Sequence, residues 1–257
     1  MQSYDPYDSL VPVFLRTEIP KQMVQFATAV FVEILDQPFL LTAAHVTDKS
    51  KLGQLVVPTG DGFETIDGYM AYIDLPPEVH RSEDTTDIAY YRLSTEFANC
   101  LAQLFRVMPR ERRQLIKSAH EFSMYTASGY PASKAKRTGD QRSSEVFSFR
   151  GSVAGTDIYE RLDLSPDSSI VIHFQRKQAV DTTEFEPTST PGLNGISGGP
   201  IFAWPRGMEL LTDWSLPKMV GLVHTYKERE GLIIGTTMSP VLAAITLGQM
   251  KGFGGIR

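Results

Sequence analysis

Cysteine is nearly missing from this chain: Cys100 is the only one among 257 residues, so no disulfide can form within it. Proteins that do without disulfides are typical of reducing compartments, and a cytoplasmic location is expected. Met1-Gln2-Ser3-Tyr4-Asp5-Pro6-Tyr7-Asp8 carries acids and a proline where a secretory leader has Lys or Arg and an apolar run. No signal peptide is therefore expected. No stretch approaches the roughly 18 apolar residues of a membrane-spanning helix, which sets a membrane aside as partner. A basic excess is also missing, since 25 Lys and Arg stand against 30 Asp and Glu. Nucleic acid is accordingly not an expected partner. No motif asks for a metal or a cofactor. What remains is an ordinary globular composition, 42 % apolar and 21 % charged, with enough apolar residues for a full core.

Against these absences stands one unusual concentration, Gly192-Leu193-Asn194-Gly195-Ile196-Ser197-Gly198-Gly199-Pro200. Glycines at this density stop regular helix or strand and build tight, special backbone. The apolar run Ile201-Phe202-Ala203-Trp204 follows at once and reads as a buried strand. A serine is thus held on a glycine turn at the mouth of a core element. Such a turn can present Oγ while aiming backbone N–H groups at one point, the two requirements of acyl transfer. Two further residues fit that chemistry. His45 lies where the apolar strand Phe39-Leu40-Leu41 gives way to Thr42-Ala43-Ala44, and Asp87 opens the strand Ile88-Ala89-Tyr90-Tyr91.

Leu41-Thr42-Ala43-Ala44-His45, Asp87-Ile88-Ala89 and Gly195-Ile196-Ser197-Gly198-Gly199-Pro200 resemble, in that order, the three catalytic motifs of trypsin/chymotrypsin-like serine proteases. The resemblance implies an all-β fold of two packed antiparallel six-stranded β-barrels. An inter-barrel helical segment near 94–105 and a short C-terminal helix from Pro240 to Leu247 complete it. The first barrel, 1–105, would carry His45 and Asp87. Residues 106–257 would supply a linker, the second barrel with Ser197, and the closing helix. It also implies a His45-Asp87-Ser197 triad, with the N–H groups of Gly195 and Ser197 as oxyanion hole and a protein or peptide as substrate. Pro191, Gly192, Leu193, Asn194, His224, Thr225, Tyr226, Ile234 and Gly235 fall where the family contacts substrate. No acid lies between 187 and 200, so cleavage after Lys or Arg is not expected. A small or apolar residue before the scissile bond fits better. A silent copy of the fold serving as a binding module, or an esterase on the same triad, are the alternatives.

Two positions depart from the family's pattern. Ile196 stands where digestive members have an aspartate that pairs with a newly cut N-terminus, and no Ile-Val-Gly-Gly start is present. Activation by that route is not expected. The oxyanion loop is then either competent as translated or, through the polar stretch from Asp181 to Gly195, ordered by substrate or by an activating or regulatory protein. His224 stands where the family has a serine near the buried aspartate. It either joins the Asp87 network or is only a strand residue. Elsewhere, Arg106, Arg110, Arg112, Arg113 and Lys117 read as the solvated face of a linker. Cys100 reads as a small buried thiol, and 132–144 as a polar loop.

Overall fold

The computed structural model describes residues 5–18, 22–73, 75–76, 78–138, 141–176 and 190–247. Strands β1 (Leu10–Arg16), β2 (Met23–Ile34), β3 (Gln37–Ala43), β4 (Gln54–Thr59), β5 (Gly62–Thr65), β6 (Gly68–Tyr72) and β7 (Ile88–Leu93) form one antiparallel sheet. Their order is β5-β4-β1-β2-β3-β7-β6, so the expected six-stranded barrel is a seven-stranded sheet whose end strands do not pair. The run from Phe63 to Tyr72 is divided between β5 and β6. It breaks at Gly68, where φ is 146° and a Cβ would lie 2.3 Å from the Arg92 carbonyl oxygen. Only glycine lets β6 approach β7 that closely. The sheet still curls round one core, in which Leu55 and Val57 of β4 meet Met70 of β6 and Tyr91 of β7.

The second half builds a closed barrel from β8 (Met124–Gly129), β11 (Phe147–Val153), β12 (Ser169–His173), β13 (Pro200–Ala203), β14 (Lys218–Lys227) and β15 (Leu232–Thr237). The order β11-β12-β15-β14-β13-β8 closes by pairing β8 with β11. Between those two strands, β9 (Lys136–Thr138) and β10 (Gln141–Ser143) form a hairpin where a plain loop was expected. Four α-helices occur in the described residues: α1 (Ala44–Thr47), α2 (Thr95–Leu101), α3 (Thr156–Arg161) and α4 (Met238–Leu247). No helix among them is long and apolar enough to cross a membrane.

The two sheets pack because β2 is apolar on both faces. Strand residues alternate sides, so Ala27, Ala29 and Phe31 enter the first core while Val30 and Val32 face the other way. There they join Leu41, Tyr90, Phe202, Met219 and Leu222, with Met238 and Val241 of α4 closing the cluster. That shared cluster fixes where the ends of β3, β7 and β13 meet. The linker laces the same seam: Met108 N donates to Phe31 O, and Gln114 N to Met219 O. Arg106, Arg110 and Lys117 are exposed, as a solvated basic face requires, but Arg113 turns to donate to Glu33 O at 2.6 Å and Arg112 to the carbonyls of Trp214 and Ser215. Cys100 is half-buried on α2, which Ser94 caps by accepting from Phe97 N. Most of the polar stretch before the serine turn, 177–189, lies outside the described residues.

Candidate active site

β3 ends at Ala43 and α1 begins at Ala44, two alanines whose lack of bulk lets the first turn of α1 sit directly on the start of β7. Asp87, just before β7, has φ 39°, a left-handed conformation that aspartate tolerates better than most residues. The backbone there is held from both sides. Ala44 N donates to Asp87 O at 3.1 Å, and Thr236 Oγ1 of the second barrel donates to Thr86 O at 2.6 Å. The Asp87 carboxylate is buried, and both of its oxygens go to one residue. Oδ1 accepts the His45 backbone N–H at 2.8 Å, and Oδ2 lies 2.6 Å from His45 Nδ1. An ionised carboxylate can only accept, so a neutral His45 ring carries its proton on Nδ1 and leaves a bare lone pair on Nε2. The His45 side chain is 35 % exposed, which leaves that lone pair open to an incoming group.

Ser197 reaches the same corner from the second barrel. Gly198, with φ 84°, presses against β2 and β3 so closely that a Cβ would stand 2.2 Å from both Thr28 O and Thr42 Oγ1. Thr28 N donates to Ser197 O at 2.9 Å across the seam. Among the described residues, Ser197 Oγ makes one long hydrogen bond of 3.4 Å, to His224 O, and none to His45. The Gly195 and Ser197 N–H groups have no protein acceptor among the described residues. Their directions follow from peptide planarity. Asn194 O accepts from Ala132 N at 2.7 Å and Ile196 O from Gly199 N at 2.8 Å, which turns the following N–H groups the opposite way.

His224 is buried beside the pair, Nδ1 2.9 Å from Thr225 Oγ1 and Nε2 without a partner. It makes no hydrogen bond to Asp87, yet it is close enough to feel that charge. Burial pushes its pKa down to about 4, with Asp87 opposing the shift and His45 adding to it. Above about pH 6.5 the ring is neutral folded or unfolded and contributes nothing to pH dependence. Below that, the unfolded chain takes up a proton that the folded one refuses. Stability then falls by about 1.4 kcal/mol per pH unit until the folded ring also titrates near pH 4. His224→Gln is expected to lose about 2 kcal/mol less than the wild type between pH 7 and 4.5 in urea unfolding. Equal losses would show that this ring does not govern the acid limb.

The remaining expected contact residues divide. The side chains of Leu193 and Ile234 are taken up by the second core, Pro191 is buried, and the Cα face of Gly235 is filled by Leu222 O and Ile201 Cδ1. Gly192, Asn194, Thr225 and Tyr226 keep open surface. Sequence reading passed over the threonines that hold the site together, Thr28, Thr42 and Thr236, all buried. Their signal is a hydroxyl in the middle of an apolar strand, which must find a hydrogen-bond partner once buried.

No family model and no curated protein matches the sequence. Solved structures do resemble it. The Vibrio cholerae VesB protease superposes with a TM-score of 0.52 at 16 % identity, over 95 % of this chain and 64 % of that one. The Tobacco Etch Virus protease gives 0.50 at 10 % identity, over 100 % and 86 %. A thermostable serine protease, AL20, from an extremophilic microorganism gives 0.49 at 15 % identity, over 90 % and 91 %. The shared feature is the fold, the chymotrypsin-like double barrel.

Proposed function

We propose that this chain is a serine endopeptidase that cleaves peptide bonds through an acyl-enzyme. One observation carries the reading: both Asp87 oxygens bind His45, leaving Nε2 as the free basic nitrogen beside a glycine turn with two unclaimed N–H groups. Ser197 Oγ attacks the scissile carbonyl while His45 Nε2 takes its proton. The carbonyl oxygen, now an anion, is received by the Gly195 and Ser197 N–H groups. Collapse breaks the C–N bond, with His45 returning the proton to the leaving amine. Water then repeats the cycle on the acyl-serine. Asp87 keeps the imidazole in the useful tautomer and stabilises its cation. The absence of an acid from 187 to 200 favours a small or apolar residue before the cleaved bond. Limited cleavage of a protein target inside the cell suits a chain with one cysteine.

The decisive experiment is labelling with a peptidyl diphenyl phosphonate, followed by mapping of the adduct. Stoichiometric modification of Ser197, lost in Ser197→Ala and in His45→Ala, is the expected result. Labelling that persists in Ser197→Ala would remove the nucleophile and the proposal with it.

A further inference from the structure

The serine turn is held by a residue of the other barrel. β2 runs past the end of β3, whose pairing with it begins only at Val30 opposite Leu41, so the preceding part of β2 offers a free edge. The turn docks there. Four successive carbonyls of the turn have one donor each: Asn194 O takes Ala132 N, Gly195 O takes Thr28 Oγ1, Ile196 O takes Gly199 N, and Ser197 O takes Thr28 N. Thr28 thus supplies two of the four, including the one side-chain donor, at 2.8 Å to Gly195 O. Its hydroxyl also accepts Tyr130 N at 2.9 Å, and its own carbonyl accepts Thr42 Oγ1 at 2.8 Å. Thr28 is wholly buried, so none of these groups has water to fall back on. Ile196, by contrast, offers no charge: its side chain lies in the second core.

We propose that Thr28 is the positioning residue of the oxyanion loop. Its hydroxyl, seated between Gly195 O and Tyr130 N, and its backbone N–H on Ser197 O anchor the 195–196 and 197–198 peptide units, which flank the 196–197 unit and follow the 194–195 unit, and so limit how far the Gly195 and Ser197 N–H groups can turn away from the substrate oxygen. The proposal rests on the serine peptidase reading for its catalytic consequence, though not for its structural one. Donors that must already point at the oxyanion act on the transition state more than on bound substrate. Loosening them therefore lowers kcat and spares KM.

The test compares Thr28→Val, which keeps the shape without the hydroxyl, with Thr28→Ser, which keeps the hydroxyl. Thr28→Val is expected to lower kcat by roughly 10- to 100-fold with KM within about threefold, whereas Thr28→Ser stays within about threefold of wild type in both. Amide exchange read by mass spectrometry over 193–199 should speed up in Thr28→Val and not in Thr28→Ser, with the barrel strands unchanged. Should Thr28→Val fail to fold, Thr28→Cys, a weak donor of similar shape, takes its place and should fall below Thr28→Ser in both readouts. A folded Thr28→Val with wild-type kcat and exchange overturns the proposal, as does a Thr28→Ser that loses as much as Thr28→Val. If the wild type neither hydrolyses peptides nor takes the phosphonate, the peptidase reading fails, and the exchange comparison alone decides for or against the clamp.

Discussion

Ser197→Ala and His45→Ala are each expected to lower kcat by about 10⁵- to 10⁶-fold, with the double variant no worse than either single one. The reason is that nucleophile and base act as a unit. Without Oγ there is nothing to receive the acyl group, and without Nε2 the hydroxyl keeps its proton and remains a poor nucleophile. Residual catalysis over water then comes from the oxyanion donors and from substrate binding alone. Neither change should disturb the fold. Ser197 Oγ has only the long contact with His224 O among the described residues, and the His45 side chain is 35 % exposed. The unfolding free energy is therefore expected within about 1 kcal/mol of wild type for Ser197→Ala, and about 1–3 kcal/mol lower for His45→Ala, which leaves the buried Asp87 Oδ2 without its partner. Steady-state kinetics on purified variants, with thermal melts beside them, check both halves. A Ser197→Ala protein that hydrolyses at more than a hundredth of the wild-type rate would refute the assignment.

How far the sequence reveals this site depends on the range of each signal. The serine turn is legible because four glycines and a proline in nine residues have few other uses. His45 and Asp87 are legible because each sits where an apolar strand begins or ends. β2 is legible from its length and β-branched content and β3 from the apolar run Phe39-Leu40-Leu41, although the double-sided burial of β2 emerges only when the second sheet is in place. Gly68 hides the break between β5 and β6, because the obstacle it avoids is the backbone of β7, distant in sequence. The linker arginines look solvated for the same reason: the carbonyls that Arg112 and Arg113 reach belong to the 214–215 loop and to β2. Thr28 is the sharpest case. Within Phe26-Ala27-Thr28-Ala29-Val30 it reads as a β-former like its neighbours, and its role depends on a turn from the opposite barrel. Local propensity cannot show such contacts; a buried hydroxyl with no partner nearby in sequence can only announce that one exists.

Asp87→Asn is expected to lower kcat by about 10⁴-fold while the protein stays folded, and the two hydrogen bonds to His45 explain how. The carboxylate has two accepting oxygens, and both are in use: one on the His45 backbone N–H at 2.8 Å, the other at 2.6 Å from ring Nδ1. Asparagine has one accepting oxygen and one donating NH₂. The backbone N–H can only donate, so the amide oxygen must turn to it. The NH₂ group then faces Nδ1, which has to accept, and the ring proton moves to Nε2. The nitrogen that should take the Ser197 proton is now already protonated. Stability suffers little, because asparagine also tolerates the left-handed φ of 39° and keeps the bond to the His45 amide. Asp87→Ala would mix that chemistry with backbone strain and a lost acceptor, so asparagine is the cleaner probe. Nitrogen-15 NMR of the imidazole reads the tautomer directly, and kinetics reads its consequence. The expected pair of results is a proton on Nε2 in Asp87→Asn with kcat reduced about 10⁴-fold. A variant whose ring keeps its proton on Nδ1, or whose kcat falls less than tenfold, would mean that Asp87 does not set the state of His45.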